Sequence, residues 1–226
     1  MESLPTLQVG PDVELETRWD RPDDAAAVIV FCHPHPQQGG TMTAPLMEKV
    51  TSALIESGLA VLRFNFRGVG RSTGHWENGA GEIDDVHAAV GAAAAAYPSL
   101  PLGIAGWSFG AATSLRWQAR ERSTIPWVGI APPVLRDGVL YLPPSDGLAP
   151  AHRTFIIGDR DQFVTVAQIR DYASEVGGEV HLLRGSDHFF HFREDRVAGV
   201  LATALCPACP PPGEQPEPSR QTAPNR

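Results

Sequence analysis

The stretch Leu102-Gly103-Ile104-Ala105-Gly106-Trp107-Ser108-Phe109-Gly110 decides the fold. It opens as an apolar run of strand length and breaks at a serine with a glycine two residues away on either side. It then leads into an amphipathic segment, Ser108 to Glu121, with Leu115 on the inner face. A strand that turns sharply into a helix through G-x-S-x-G lifts the serine hydroxyl above the sheet end, the arrangement of a nucleophile elbow. Glycines suit the flanks because a Cβ at 106 or 110 would collide with backbone brought close by so tight a turn. The helix start beneath the hydroxyl aims its positive dipole end at a developing oxyanion. A Gly-rich helix start capped by serine would use the same residues; the strand–turn–helix setting favours the nucleophile.

Working outward, apolar runs and helical periodicities alternate. Gln8 to Trp19 predicts one or two edge strands, and Ala26 to Cys32 a strand buried on both faces. The segment His33-Pro34-His35-Pro36-Gln37-Gln38-Gly39-Gly40 stops that strand, and a helix follows over Pro45–Ser57 with Gly58 as its terminator. Further strands are predicted at Leu59–Asn65, Pro101–Trp107, Ile125–Ala131, Thr154–Ile157 and Glu179–Leu183. Further helices are predicted at Glu82–Tyr97, Val164–Val176 and His188–Leu205, with a Gly-rich loop over Arg67–Gly81. Repeated β-α-β order implies an α/β fold whose sheet is mostly parallel, with helices on both faces. One domain is expected over residues 1–205, and the Pro-rich composition of 206–226 predicts a disordered tail.

A serine needs a base to take its proton and an acid to orient that base. Two post-strand loops supply them at the carboxyl edge of the sheet, where open α/β folds keep their sites. After Phe155-Ile156-Ile157 come Gly158-Asp159-Arg160-Asp161, and after Val180–Leu183 come Gly185-Ser186-Asp187-His188. Asp159, next to Gly158, suits a turn-holding role, which leaves Asp161 as the orienting acid. His188 is preferred as base over His191, which should turn into the next helix. His87, His152 and His181 fall within helices or strands and read as structural. For the oxyanion, the backbone N–H of Phe109 is one donor, and His35, between two prolines that have no N–H, is the natural second. His33 and His35 at i and i+2 make a poor zinc set. Neither a metal nor a cofactor is expected.

The chain has 226 residues, a formal charge of −8, and interleaved rather than clustered basic positions, which disfavours nucleic acid or an anionic membrane as partner. The N-terminus lacks the basic and apolar regions of a secretory signal, and the longest apolar run, Ala25–Cys32, is far short of a bilayer span. Three cysteines do not make a disulfide framework. A reducing cytoplasm is the expected compartment, and a monomer or homodimer the expected state.

With these residues in place, the sequence resembles the α/β-hydrolase superfamily. More narrowly, it is similar to small, nearly capless bacterial serine hydrolases distantly related to dienelactone hydrolases. The resemblance rests on His33-Pro34-His35-Pro36 followed by Gly39-Gly40-Thr41-Met42, on Leu62 to Ser72, and on Asn78-Gly79-Ala80-Gly81-Glu82. Gly106 to Gly110, Ile130-Ala131-Pro132-Pro133 and Asp187-His188-Phe189-Phe190 complete it, spanning roughly residues 8–204 in order. It implies a Ser108, Asp161, His188 triad and an oxyanion hole at His35 and Phe109. Dienelactone hydrolases use a cysteine nucleophile, so their substrate is not implied for a chain with Ser108.

Four features stand beside this reading. Arg63, Arg67 and Arg71 lie near the same sheet edge and could hold a substrate carboxylate, Arg67 foremost, or could anchor the long loop by pairing with Glu77, Glu82 or Asp84. Trp107 and Phe109 flank the serine and could shape an acyl pocket. Ala131 to Pro150 stands where larger relatives insert a lid, but its prolines permit only a short loop, which predicts an open, shallow site. Cys206-Pro207-Ala208-Cys209 has no second pair and reads as incidental to the tail. The expected activity is hydrolysis of a small carboxylic ester or thioester through an acyl-enzyme. An acyltransferase or amidase on the same residues, and a non-catalytic binding module, are the alternatives.

Overall fold

The computed structural model describes residues 6–136 and 139–209. Ten strands and five helices follow one another as β1 (Thr6–Gln8), β2 (Glu14–Asp20), β3 (Ala27–Cys32), α1 (Pro45–Glu56), β4 (Leu59–Phe64), α2 (Glu82–Ala96), β5 (Leu102–Trp107) and α3 (Phe109–Glu121). Then come β6 (Trp127–Ile130), β7 (Leu135–Arg136), β8 (Val139–Leu140), β9 (Arg153–Gly158), α4 (Val166–Glu175), β10 (Glu179–Leu183) and α5 (Glu194–Leu205).

Eight strands form one sheet in the order β1-β2-β4-β3-β5-β6-β9-β10. The first two pairings, β1–β2 and β2–β4, are antiparallel, and every other pairing is parallel. The sequence dictates this arrangement. All six residues of β3, Ala-Val-Ile-Val-Phe-Cys, are buried, because helices cover both faces and leave no side for polar residues. The edge strand β10 instead exposes Glu179 and His181.

Side-chain direction on β5 shows how the layers are assigned. A Cβ on Gly103 would meet Leu205 of α5, whereas one on Gly106, three residues on and therefore on the opposite face, would meet Ala111 of α3. Helices α1 and α5 pack together on the first face, and α2 and α3 on the second. Strands β4 and β5 flank β3 on either side, so the chain reverses its direction of winding there. The register Cys32↔Gly106 brings the ends of β3 and β5 level at this switch point, where α/β sheets open a crevice.

Three expectations need correction. The helix predicted from His188 starts only at Glu194, because Phe190 and Phe192 adopt positive φ (54° and 60°), which a right-handed helix cannot accommodate. The segment read as a plain loop over Ala131–Pro150 carries the β7–β8 hairpin and a 3₁₀ turn at Ser145–Gly147. Cys206 and Cys209 form a disulfide and are buried against the core, so residues 206–209 belong to the packed domain and not to a tail. Residues 210–226 lie outside the described residues. Among the described residues, no helix is long and apolar enough to cross a membrane.

Candidate active site

Ser108 sits between β5 and α3 with φ 52° and ψ −114°, a strained conformation for a residue with a Cβ. It is fixed there by its surroundings. Its amide donates to Ile130 O at 2.7 Å. A Cβ on Gly106 would lie 2.4 Å from Ala111 N, and one on Gly110 would lie 2.4 Å from both Cys32 O and His33 O. Only glycine permits that approach, so the G-x-S-x-G spacing is a steric requirement. The first turn of α3 carries no acidic residue, which leaves the helix's positive end uncompensated beneath the serine.

The loop after β3 reaches the same place. His33 is fully buried; its Nδ1–H donates to Pro34 O at 2.6 Å and its Nε2 accepts from the Phe66 amide at 3.0 Å. Burial is the main reason that its pKa is pushed down to about 4. Both ring nitrogens are occupied, and the neutral ring fixes the entry of the loop. No group of three or more His, Cys, Asp or Glu that could hold a metal occurs among the described residues. Two residues on, the His35 ring packs 5.3 Å from that of Phe109.

His188 lies on the loop after β10. Its Nδ1–H donates to Asp161 Oδ2 at 2.7 Å, and the Asp161 carboxylate is fully buried behind it. The other Asp161 oxygen accepts from the amides of Phe163 and Val164 at 2.8 and 2.9 Å, so both oxygens are used. A carboxylate that only accepts places the ring proton on Nδ1 and leaves Nε2 as the acceptor nitrogen. Asp159 instead accepts from the Gly185 amide at 2.6 Å, tying the two post-strand loops together. Two further groups hold the His188 backbone: Gln162 Oε1 accepts its amide at 3.4 Å, and the Trp107 indole donates to its carbonyl at 3.1 Å.

These pieces converge on one cavity of about 570 Å³. Ser108, His188, His35, Phe109 and Trp107 all line it, while Asp161 stands behind His188. Among the described residues no hydrogen bond joins Ser108 Oγ to the His188 ring; the two side chains share the cavity. Pro133, Leu135 and Tyr141 from the short segment after β6 contribute lining.

Arg67 is not in the cavity. It is buried and pairs with Asp85 at 2.8 Å and with Glu77. Burial alone would lower its pKa, but the two carboxylates outweigh it and hold the guanidinium charged. Arg63 pairs with Asp20 at 2.6 Å, and the Arg71 amide donates to Glu16 at 2.9 Å. Arg67 therefore anchors the loop after β4, to Glu77 as expected and to Asp85 in place of Glu82 or Asp84, whereas Arg63 ties β4 to β2 and Arg71 contributes a main-chain N–H. Gln162, Phe163 and Phe189 were not singled out by the sequence. Gln162 has no spacing signal that would distinguish it from any polar loop residue. The two phenylalanines could have been noticed as large apolar side chains set in loops.

Residues 23–145, more than half of the chain, match the family described as serine aminopeptidase, S33. A serine hydrolase without a lid from Xanthomonas campestris is 33% identical, with 95% of this chain and 96% of that chain covered and a TM-score of 0.79. An α/β serine hydrolase homologue from Coxiella burnetii is 30% identical over 89% of this chain and 96% of that one, with a TM-score of 0.77. An uncharacterized protein of Rickettsia prowazekii is 29% identical, covering 85% of this chain and 84% of its own. Together with the mostly parallel sheet and the serine turn between β5 and α3, these matches show that the chain belongs to the α/β serine hydrolase family.

Proposed function

We propose that the protein hydrolyses a carboxylic ester or thioester through an acyl-enzyme on Ser108. The observation that carries this reading is the 2.7 Å bond from His188 Nδ1 to a fully buried Asp161, in a loop that shares one cavity with Ser108. In the neutral ring such a bond places the proton on Nδ1 and leaves Nε2 to accept from a serine, and it stabilises the imidazolium that forms.

In the first half-reaction, Nε2 of His188 takes the Oγ proton as Oγ bonds to the carbonyl carbon. The charge that moves to the carbonyl oxygen is held by the backbone N–H groups of Phe109 and His35 and by the N-terminal end of α3. The tetrahedral adduct collapses when the C–O or C–S bond breaks, and His188 passes the proton to the departing group. Water then repeats the sequence in reverse, with His188 again as base, and releases the acid. No cofactor enters this reading.

The family description names a serine aminopeptidase, which raises an amide-cleaving alternative. An aminopeptidase must hold the ammonium of its substrate, and no carboxylate is among the described residues that line the cavity, which favours the ester. Stoichiometric labelling by a fluorophosphonate tests the proposal. It should occur in the wild type and disappear in Ser108→Ala and His188→Ala, together with turnover of p-nitrophenyl acetate. Folded wild-type protein that neither labels nor turns over would overturn it. Product analysis with an added alcohol or amine separates hydrolysis from acyl transfer.

A further inference from the structure

We propose that the ester accepted here is uncharged and carries an aromatic or similarly broad apolar group that rests on Trp107, Phe163 and Phe189. The inference rests on the ester-hydrolase reading and specifies what that site selects.

The first argument is charge. Among the described residues that line the cavity, none is an aspartate, glutamate, lysine or arginine. Two arginines near the same sheet edge are committed elsewhere: Arg63 to Asp20, and Arg67 to Asp85 and Glu77. Arg116 lies over the Tyr141 ring, 5.2 Å from its centroid, and does not line the cavity. A substrate carboxylate or ammonium would therefore give up water without gaining an opposite charge, which is strongly unfavourable.

The second argument is the placement of exposed apolar side chains. The large hydrophobic residues exposed among the described residues are Leu135, Phe163, Phe189 and Phe192, and the first three line this cavity. Phe163 is 66% exposed, which core packing does not explain. Scattered exposed apolar residues are ordinary, but a cluster at one opening marks a binding surface. The rings also form a connected wall, since Phe189 meets Trp107 edge-on at 6.2 Å and Phe163 at 6.4 Å.

The third argument is rigidity. Asp161, which orients His188, also accepts the Phe163 amide at 2.8 Å, and Asp187 accepts the Phe189 amide at 3.0 Å. The aromatic wall is thus set by the turns that position the base, so a ring resting on it would be aligned with the reacting carbonyl. An acetyl ester would leave most of the cavity of about 570 Å³ unfilled.

The test compares methyl 3-phenylpropanoate, methyl butanoate and methyl hydrogen glutarate by pH-stat. It adds binding of the same three esters to Ser108→Ala, followed by tryptophan fluorescence. The phenyl ester should exceed butanoate by about tenfold and the carboxylate-bearing ester by about a hundredfold in kcat/KM. The double change Phe163→Ser with Phe189→Ser should shrink the tenfold preference to within about threefold. Phe192→Ser, outside the cavity, should leave it unchanged. Equal or better use of the glutarate ester, or no preference for the phenyl ester, overturns the inference while leaving ester hydrolysis intact. Selective binding of the phenyl ester to Ser108→Ala, without turnover of any ester by the wild type, upholds the pocket and overturns the hydrolytic reading. Neither turnover nor selective binding overturns both.

Discussion

Ser108 and His188 are positioned by different physical means, although they line the same cavity. The serine is held by the backbone: a positive φ of 52°, glycines whose missing Cβ atoms would strike main chain, and no side-chain cap on its helix. The histidine is held by side chains, through Asp161 on its ring, Gln162 on its amide and Trp107 on its carbonyl. A steric constraint made of close-packed main chain belongs to the fold and cannot be altered alone. A constraint made of hydrogen bonds at the surface of the core can be removed one bond at a time. Changes on the serine side should therefore appear mainly as lost stability, and changes on the histidine side mainly as lost turnover.

The largest expected effect tests the histidine side. Asp161→Asn retains an oxygen for the Phe163 and Val164 amides but presents an NH₂ group to His188 Nδ1. The ring must then carry its proton on Nε2, where it cannot accept from Ser108. We expect kcat to fall by about 10³–10⁴-fold, with unfolding free energy changed by about 1 kcal/mol or less. A loss under tenfold would mean that Asp161 is not what orients the base. The counterpart is Gly110→Ala, whose Cβ would lie 2.4 Å from two carbonyl oxygens that cannot move without shifting the ends of β3 and its loop. Urea unfolding should show a loss of about 3 kcal/mol. A stable Gly110→Ala protein would remove the steric half of the comparison.

The same division governs what could be read from the sequence. Backbone requirements leave local signals, so β3, β5, the elbow and the start of α3 were legible within a residue or two. The pairing of Asp161 with His188 was legible because each follows a strand, in the chain order that the proposed chemistry needs. The start of α5 was not, because Phe190 and Phe192 take positive φ just after a turn in which the Asp187 carboxylate accepts the Phe189 and Phe190 amides. Nothing in the residue types Phe-Phe-His-Phe announces that turn. Arg67 was misplaced as a possible substrate contact for a related reason. Its partner Asp85 lies one helical turn into α2, and only the packing of that helix shows that the charge is already matched. Gln162 acts through a bond made across loops, which no spacing encodes.

A smaller effect, on pH dependence, sharpens the serine side. His33 sits between the Pro34 carbonyl and the Phe66 amide as a neutral ring, with its pKa lowered to about 4. The unfolded chain, with an ordinary histidine pKa near 6.5, binds the proton more readily than the folded one. The stabilisation is therefore fully present above about pH 6.5 and is lost as pH falls from there toward the folded pKa of about 4. Between pH 7 and 4.5 this single group should account for about 2–3 kcal/mol of lost stability. His33→Gln, which keeps a donor and an acceptor but does not titrate, should show a shallower decline by that amount in urea unfolding across the same range. Parallel pH curves for the two proteins would show that His33 is not what makes the loop acid-sensitive.

The smallest expected effect asks whether the histidine side is a set of bonds acting in parallel. Trp107→Phe keeps a ring on the cavity wall and removes only the N–H that reaches the His188 carbonyl at 3.1 Å. One net hydrogen bond of about 1 kcal/mol corresponds to about a five- to tenfold fall in kcat. The fall should stop there, because Asp161 and Gln162 still hold the loop. An acetyl ester is the right substrate, since its acyl group is too small to rest on the indole and KM should stay within about twofold. The rate of fluorophosphonate labelling should fall by the same factor as kcat, because both depend on His188 standing ready to take the Ser108 proton. A lower melting temperature with an unchanged labelling rate would make the indole a packing residue. A loss as large as that of Asp161→Asn would mean that the bonds act in series, so that His188 is held only when all of them are present.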